Sequence, residues 1–224
     1  MKPTKYTRTY HAPWSLGVQS DDKMLKSMNH FIGEEVFVWE KLDGENTSLY
    51  SKNSGGILHA RSIDSRHNET RDWVKKMHSV LQHDIPDDMK LIGENLFAEH
   101  SIRYTGLESY FYLFAIWQKR DNGIFSLSYD NIMDWANLLD LATPKLLYKG
   151  IYDEKLLIDL ANSLDLNTTE GYVIRKTNEF NILDTDKNIA KFVREGHVQT
   201  DEHWLKNWKQ NGELADIVKP YFMK

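Results

Sequence analysis

Apolar and polar positions along the chain predict a series of strands interrupted by helices. "EEVFVWEKL" (34–42) and "TSLYSK" (47–52) read as strands, and "ILHARS" (57–62) follows the turn "NSGG", so the three together predict an antiparallel meander. Trp73, Met77, Val80 and Leu81 recur at helical spacing and predict an amphipathic helix over 70–82. "KLIGENLFA" (90–98) and "YFYLFAIWQ" (110–118) return to strand, the second apolar enough for the centre of a sheet, and the turn "KRDNG" leads into "IFSLSY". Two helices follow, one marked by Ile132, Trp135, Leu138 and Leu139, the other by Leu156, Leu157, Leu160 and Leu164. "GYVIRK" (171–176) and "IAKFVR" (189–194) read as strands, and "DEHWLKNWKQ" (201–210) as a helix broken at Gly212. Near the start, Pro13 and Gly17 break the chain, and "SDDKMLKSMNHF" (20–31) predicts a short helix capped by Ser20.

Strands and helices are interspersed without a regular β-then-α alternation. The class expected is α+β, with mainly antiparallel sheets flanked by helices. No repeat, low-complexity tract or linker divides the chain. A single domain over 1–224 is expected, with the N-terminal segment (1–33) and a helical C-terminal tail (195–224) packed on it.

Composition narrows the setting. Hydrophobic residues are 41% and charged residues 27%, an ordinary globular balance. The absence of cysteine excludes disulfides and thiolate metal sites. No 18-residue apolar run and no signal-peptide core are present, so a cytoplasmic protein without membrane contact is expected. A net charge of −5 excludes a protein that coats nucleic acid by bulk charge, but not an enzyme with a local basic surface. Seven Trp, eleven Tyr and nine Phe serve either a core or base stacking, and composition does not separate those uses.

Lys41 stands at the end of an apolar strand, just before Asp43-Gly44. Alone it is well explained as a solvent-facing lysine before a turn. As a nucleophile it would have to lose its proton, and at a reference pKa of about 10.4 only about a thousandth is neutral near pH 7. That reading predicts cationic neighbours or a metal ion to lower the value. Four further charged residues interrupt or end apolar strands: Arg61, Glu94, Glu170 and Lys191. Each alone could snorkel or face solvent. Five in the order Lys, Arg, Glu, Glu, Lys do not read as independent accidents.

Those stretches resemble the nucleotidyltransferase motifs of the covalent ligase and capping-enzyme superfamily. "KLDG" (41–44), "LHARS" around Arg61, "IGEN" around Glu94, "YLFAI" around Phe114, "EGYVIRK" (170–176) and "IAKFVR" (189–194) follow in the superfamily's order. Within it the chain is most similar to ATP-dependent RNA ligases of the nick-sealing type, and Asn46 in "KLDGEN" fits that group. The resemblance implies an ATP-grasp-like adenylation domain without an oligonucleotide-binding barrel. It implies that Lys41 takes AMP from ATP, passes it to an RNA 5′-phosphate, and that a 3′-hydroxyl then seals the strand, at a nicked duplex or at other RNA ends. Glu40, Leu42 and Asn46 would contact adenine or ribose. Arg61 would bind ribose and phosphate oxygens, Phe114 would stack on adenine, and Glu94 would hold the ribose hydroxyls. Glu170 would help hold Mg²⁺, or Mn²⁺ in its place, and Lys191 would lie against the α-phosphate. Asp43 either shapes the turn or acts directly.

Two departures stand out. A second lysine of the last motif is replaced by Val193, with Arg194 following, and thirty residues remain after Arg194. "YTRTYHAPWSLGVQSDDK" (6–23) and "GHVQTDEHWLKNW" (196–208) resemble segments of small RNA-ligase-like proteins. Arg8, His11, Trp14, Lys23, Arg194, His197, His203 and Trp204 are the candidates there for RNA contact, unless both segments simply cap the sheets. The competing readings are a DNA ligase, a guanylyltransferase, or a nucleotide- or RNA-end-binding module that joins nothing.

Overall fold

The computed structural model describes residues 1–52, 55–63, 68–165, 167–196 and 208–215. The strands are β1 (Tyr10–His11), β2 (Glu35–Lys41), β3 (Glu45–Lys52), β4 (Gly55–Ala60), β5 (Met89–Asn95), β6 (Phe111–Arg120), β7 (Gly123–Ser126), β8 (Leu146–Ile151), β9 (Gly171–Lys176), β10 (Phe180–Asn181) and β11 (Ile189–Val193). The helices are α1 (Asp72–Leu81), α2 (Tyr129–Leu138), α3 (Glu154–Ser163) and the single turn α4 (Thr185–Asn188). Among the described residues none is long and apolar enough to cross a membrane.

Two sheets carry the fold. One has the order β1-β11-β9-β2-β8, the other β10-β7-β6-β5-β3-β4, and every pair is antiparallel except β1 with β11. The α+β class read from the sequence is the one observed. The period-2 pattern explains the layering. Val36 and Val38 of β2, Tyr172 and Ile174 of β9, and Ala190 and Phe192 of β11 form one core with Leu157 and Ala161 of α3. On the alternate positions, Phe37 and Trp39 join a second core with Val74, Met77 and Leu81 of α1 and Leu91, Leu113 and Ile116 of the other sheet.

The predicted meander is corrected. β3 and β4 form a hairpin, but β2 does not pair with β3: it lies between β8 and β9 in the opposite sheet. Residues 42–44 carry the chain from one sheet to the other, which is why the polar Leu-Asp-Gly stretch is no simple hairpin turn. β8, missed in the sequence, is an edge strand whose residues are half-buried or exposed, so it lacks a clear apolar alternation. The short helix expected over 20–31 is also corrected. Met24 bridges His11 there, and only Asn29–Phe31 makes a 3₁₀ turn. Pairing with the docked β1 has overridden the local helical pattern. Most of the helix expected over 201–210 lies outside the described residues; Trp208–Gln210 are not helical.

Candidate active site

Because β2 ends in one sheet and β3 begins in the other, Lys41 and Asn46 come from different sheets and both line a cleft of about 830 Å³. Glu40, Lys41, Leu42, Asn46, Arg61, Glu94, Phe114, Glu170 and Lys191 all line it. Residues from six separated stretches of chain thus meet in one cavity.

The loop between β2 and β3 is fixed by its own polar groups. The Asp43 carboxylate is buried and accepts from Ser101 N–H and Ser101 Oγ, both at 2.7 Å, and from Ile102 N–H at 3.0 Å. The Asp43 N–H donates to Tyr104 Oη at 2.9 Å, and the Gly44 N–H to Glu94 Oε1 at 3.2 Å. A Cβ on Gly44 would lie 2.5 Å from the Asn95 carbonyl oxygen, so the motif glycine is required by close backbone approach. Asp43 therefore shapes the turn, and its grip on residues 101–102 sets His100 at the cleft wall.

Lys41 ends β2 opposite Gly171 of β9, which brings its ammonium to Glu170: Nζ lies 2.5 Å from Oε2. Burial by itself favours the neutral amine, but Glu170, Glu94 and Asp43 outweigh it and hold its pKa above the usual lysine value. Of the cationic neighbours expected, Lys191 stands close enough to interact with Lys41, while the carboxylates around the amine favour its charged form. Burial pushes Glu94 up to about 8, against the pull of Lys41. Burial also raises Glu40. Lys191 is lowered, first by burial and also by Lys41, while Asp22 at 3.5 Å opposes the shift.

The cleft also has an aromatic part. Phe114 meets Tyr6 edge to face, with ring centroids 5.4 Å apart, and Tyr6 stacks on Trp117. Arg175 of β9 is 3% exposed and also lines this space. Its Nη2 donates to the Leu127 carbonyl, its guanidinium lies over Phe37 and Phe180, and among the described residues Nε and Nη1 have no hydrogen-bond partner. Burial lowers its pKa to about 10, within the range where it stays charged at neutral pH. Tyr6, Asp22, His100 and Arg175 were not found in the sequence. Arg175 alone left a signal, sharing the odd-numbered face of "GYVIRK" with Val173; Tyr6 lies in a stretch without periodicity.

A family model described as RNA ligase matches residues 34–193. The chain belongs to the RNA ligase family. No curated protein matches it significantly. Among solved structures, a Naegleria gruberi RNA ligase with PPi is similar at a TM-score of 0.56 and 18% identity, over 86% of this chain and 60% of that one. A variant of the same enzyme with AMP and Mn gives 0.53 and 18%, over 74% and 51%. An archaeal ATP-dependent RNA ligase gives 0.60 and 14%, over 84% of this chain and 48% of its own. The chain thus spans only about half to three fifths of the length of these relatives, and they establish the shared nucleotidyltransferase-type fold.

For an RNA ligase domain, the N-terminal candidates sit unexpectedly. His11 is fully buried in the packing of the first sheet, while Trp14 is half-buried and donates Nε1–H to Tyr172 Oη at 2.8 Å. Arg8 is bound to Asp21 at the cleft rim, and Lys23 donates to Tyr10 Oη over that ring. Arg194 is half-buried, its N–H donating to the Glu170 carbonyl at 3.0 Å. His197, His203 and Trp204 lie outside the described residues. Among the described residues no cluster of three or more His, Cys, Asp or Glu side chains is arranged to hold a metal ion.

Proposed function

We propose that this domain is an ATP-dependent RNA ligase that works through a lysyl-AMP intermediate. The observation that carries the reading is the meeting of Lys41, Glu170, Glu94 and Lys191 in one cleft that Phe114 also lines. In the first step the neutral Lys41 amine attacks the α-phosphorus of ATP. A P–N bond forms, the bond to pyrophosphate breaks, and the amine proton leaves. An oxygen of an RNA 5′-phosphate next displaces Lys41 from AMP, and a 3′-hydroxyl finally displaces AMP to form the phosphodiester.

The carboxylates around Lys41 favour its charged form, so positive charge brought with the substrate would act with Lys191 to discharge it. Glu170 in the cleft fits a cation bound by one carboxylate together with phosphate oxygens, the mode Mg²⁺ favours. Glu170 would hold Mg²⁺ or Mn²⁺, directly or through water, together with the nucleotide. When bound, that ion supplies charge against the α-phosphate and the departing pyrophosphate. Glu170, once engaged there, no longer retains the Lys41 proton. Lys191 would meet charge building on the α-phosphate, Arg61 the ribose and phosphate oxygens, and Glu94 the ribose hydroxyls. Phe114 would stack on the base, with Glu40, Leu42 and Asn46 at its edge. Arg175, which also lines the cleft, would place its positive charge near the base.

Intact protein incubated with ATP and Mg²⁺ and then denatured should carry one adenylate, and Lys41→Ala none. GTP in place of ATP tests the guanylyltransferase reading by which label stays attached. Nicked RNA–RNA, RNA–DNA and DNA–DNA duplexes beside single strands then define the ends joined. Adenylylation without sealing of any of them would leave a nucleotide-binding module.

A further inference from the structure

The N-terminal segment reaches the cleft in an ordered way. β1 lies parallel to β11 with His11 opposite Lys191, and the ladder continues through Val173 to Trp39, so four neighbouring strands contribute one row. On its other side His11 is flanked by the returning chain: its N–H donates to Lys23 O and its carbonyl accepts the Leu25 N–H, both at 2.8 Å. Asp22 is thereby brought between His11 and Lys191.

Its two oxygens are divided between them. Asp22 Oδ1 lies 3.5 Å from Lys191 Nζ, while Oδ2 lies 3.0 Å from His11 Nε2 and accepts the Gln19 N–H at 3.2 Å. His11 Nδ1 is 2.7 Å from Ser15 Oγ, which itself accepts the Val193 N–H at 2.9 Å. The Ser15 Oγ proton has two acceptors in reach, His11 Nδ1 and the Val193 carbonyl at 3.4 Å; with Nδ1 accepting it, a neutral ring has its N–H on the Asp22 side. Burial and Lys191 both disfavour a charged His11, with Asp22 opposing and Lys41 adding to the disfavour. The chain of contacts runs from the backbone two residues beyond Lys191 back to the Lys191 ammonium.

We propose that Asp22, oriented by His11, is a positioning residue for Lys191, holding its ammonium at the cleft wall beside Lys41. The segment needs no such ion pair merely to dock. Ala12 N–H to Lys191 O at 2.8 Å, and Leu16 and Gly17 N–H to Val193 O at 3.1 and 2.9 Å, already bind it to β11 through backbone. What the carboxylate adds is a counter-ion for a largely buried lysine that has a second lysine nearby. The inference rests on the role proposed above for Lys191 at the α-phosphate.

Two measurements on the full chain test it. In single-turnover adenylylation against ATP concentration, Asp22→Asn should lower the maximal rate by about 10- to 100-fold, the order that misplacing a group at a reacting centre costs. Half-saturation should not rise in step, Tm should hold, and Asp22→Glu should recover much of the rate. In the second, amines are labelled with acetic anhydride and read by mass spectrometry, without ATP. Lys191 should label several-fold faster in Asp22→Asn than in wild type, with no matching change at the exposed Lys119. Equal labelling of Lys191 in both proteins overturns the proposal, as does a wild-type rate in Asp22→Asn. So does a loss that tracks Tm and half-saturation and is not recovered by Asp22→Glu. Wild type that gains no adenylate overturns the proposed function instead, and the labelling still decides the Asp22–Lys191 pair.

Discussion

Lys41 Nζ lies 2.5 Å from Glu170 Oε2, a contact between residues 129 positions apart that joins the end of β2 to the start of β9. A Cβ on Gly171 would lie 2.0 Å from the Phe192 carbonyl oxygen, and its φ of +154° is one that L-residues rarely adopt. Only glycine lets the backbone turn so closely as Glu170 is delivered to the lysine. The pair is a resting contact: it retains the proton that the proposed chemistry must remove.

Divalent-ion removal should therefore stop the first step outright. With EDTA, wild type mixed with ATP should gain no adenylate, and adding Mg²⁺ or Mn²⁺ should restore the gain. Glu170→Gln should cut the rate by at least about 100-fold even with the ion, since it removes the carboxylate proposed to share it. Mass spectrometry of the denatured protein reads both outcomes.

Asp43 should prove a scaffold residue. Replacement by Ala strands the N–H groups of Ser101 and Ile102 and should cost about 1–3 kcal/mol, seen as a lower urea midpoint. Gly44→Ala, driven against the Asn95 carbonyl, should destabilise as well.

Glu94 gives a pH signature. Its folded pKa of about 8 lies above the unfolded carboxylate value, so the folded state binds the extra proton. Its stabilising share is complete below the unfolded pKa and is lost as pH rises through the folded one, at no more than about 1.4 kcal/mol per pH unit. Glu94→Gln should flatten that slope: its Tm should gain on wild type between pH 5 and about 8 and converge with it at the acid end. Parallel Tm curves for the two proteins would show that the Glu94 carboxyl titrates normally.

Arg175 should matter for the choice of base. Arg175→Gln should raise the ATP concentration for half-maximal adenylylation by about tenfold and narrow the preference over GTP, the scale of one charged hydrogen-bonding group. A kinetic comparison of the two nucleotides reads the effect.

Much of the domain was legible in the chain itself. The period-2 alternation of "EEVFVWEKL", "GYVIRK" and "IAKFVR" determined which residues share a sheet face, because side chains of a strand alternate whatever its neighbours are. The order and chemistry of the charged interruptions marked five of the residues that line the cleft, and the resemblance to ligase motifs added Glu40, Leu42, Asn46 and Phe114. Strand neighbours were another matter. Backbone ladders are nearly blind to sequence, so nothing local told that β2 and β3 part into different sheets or that β1 docks beside Lys191. The protonation of Lys41 was also decided only in three dimensions. Charge–charge energy depends on separation and burial, and it took the folded backbone to put Glu170, Glu94 and Asp43 around that amine.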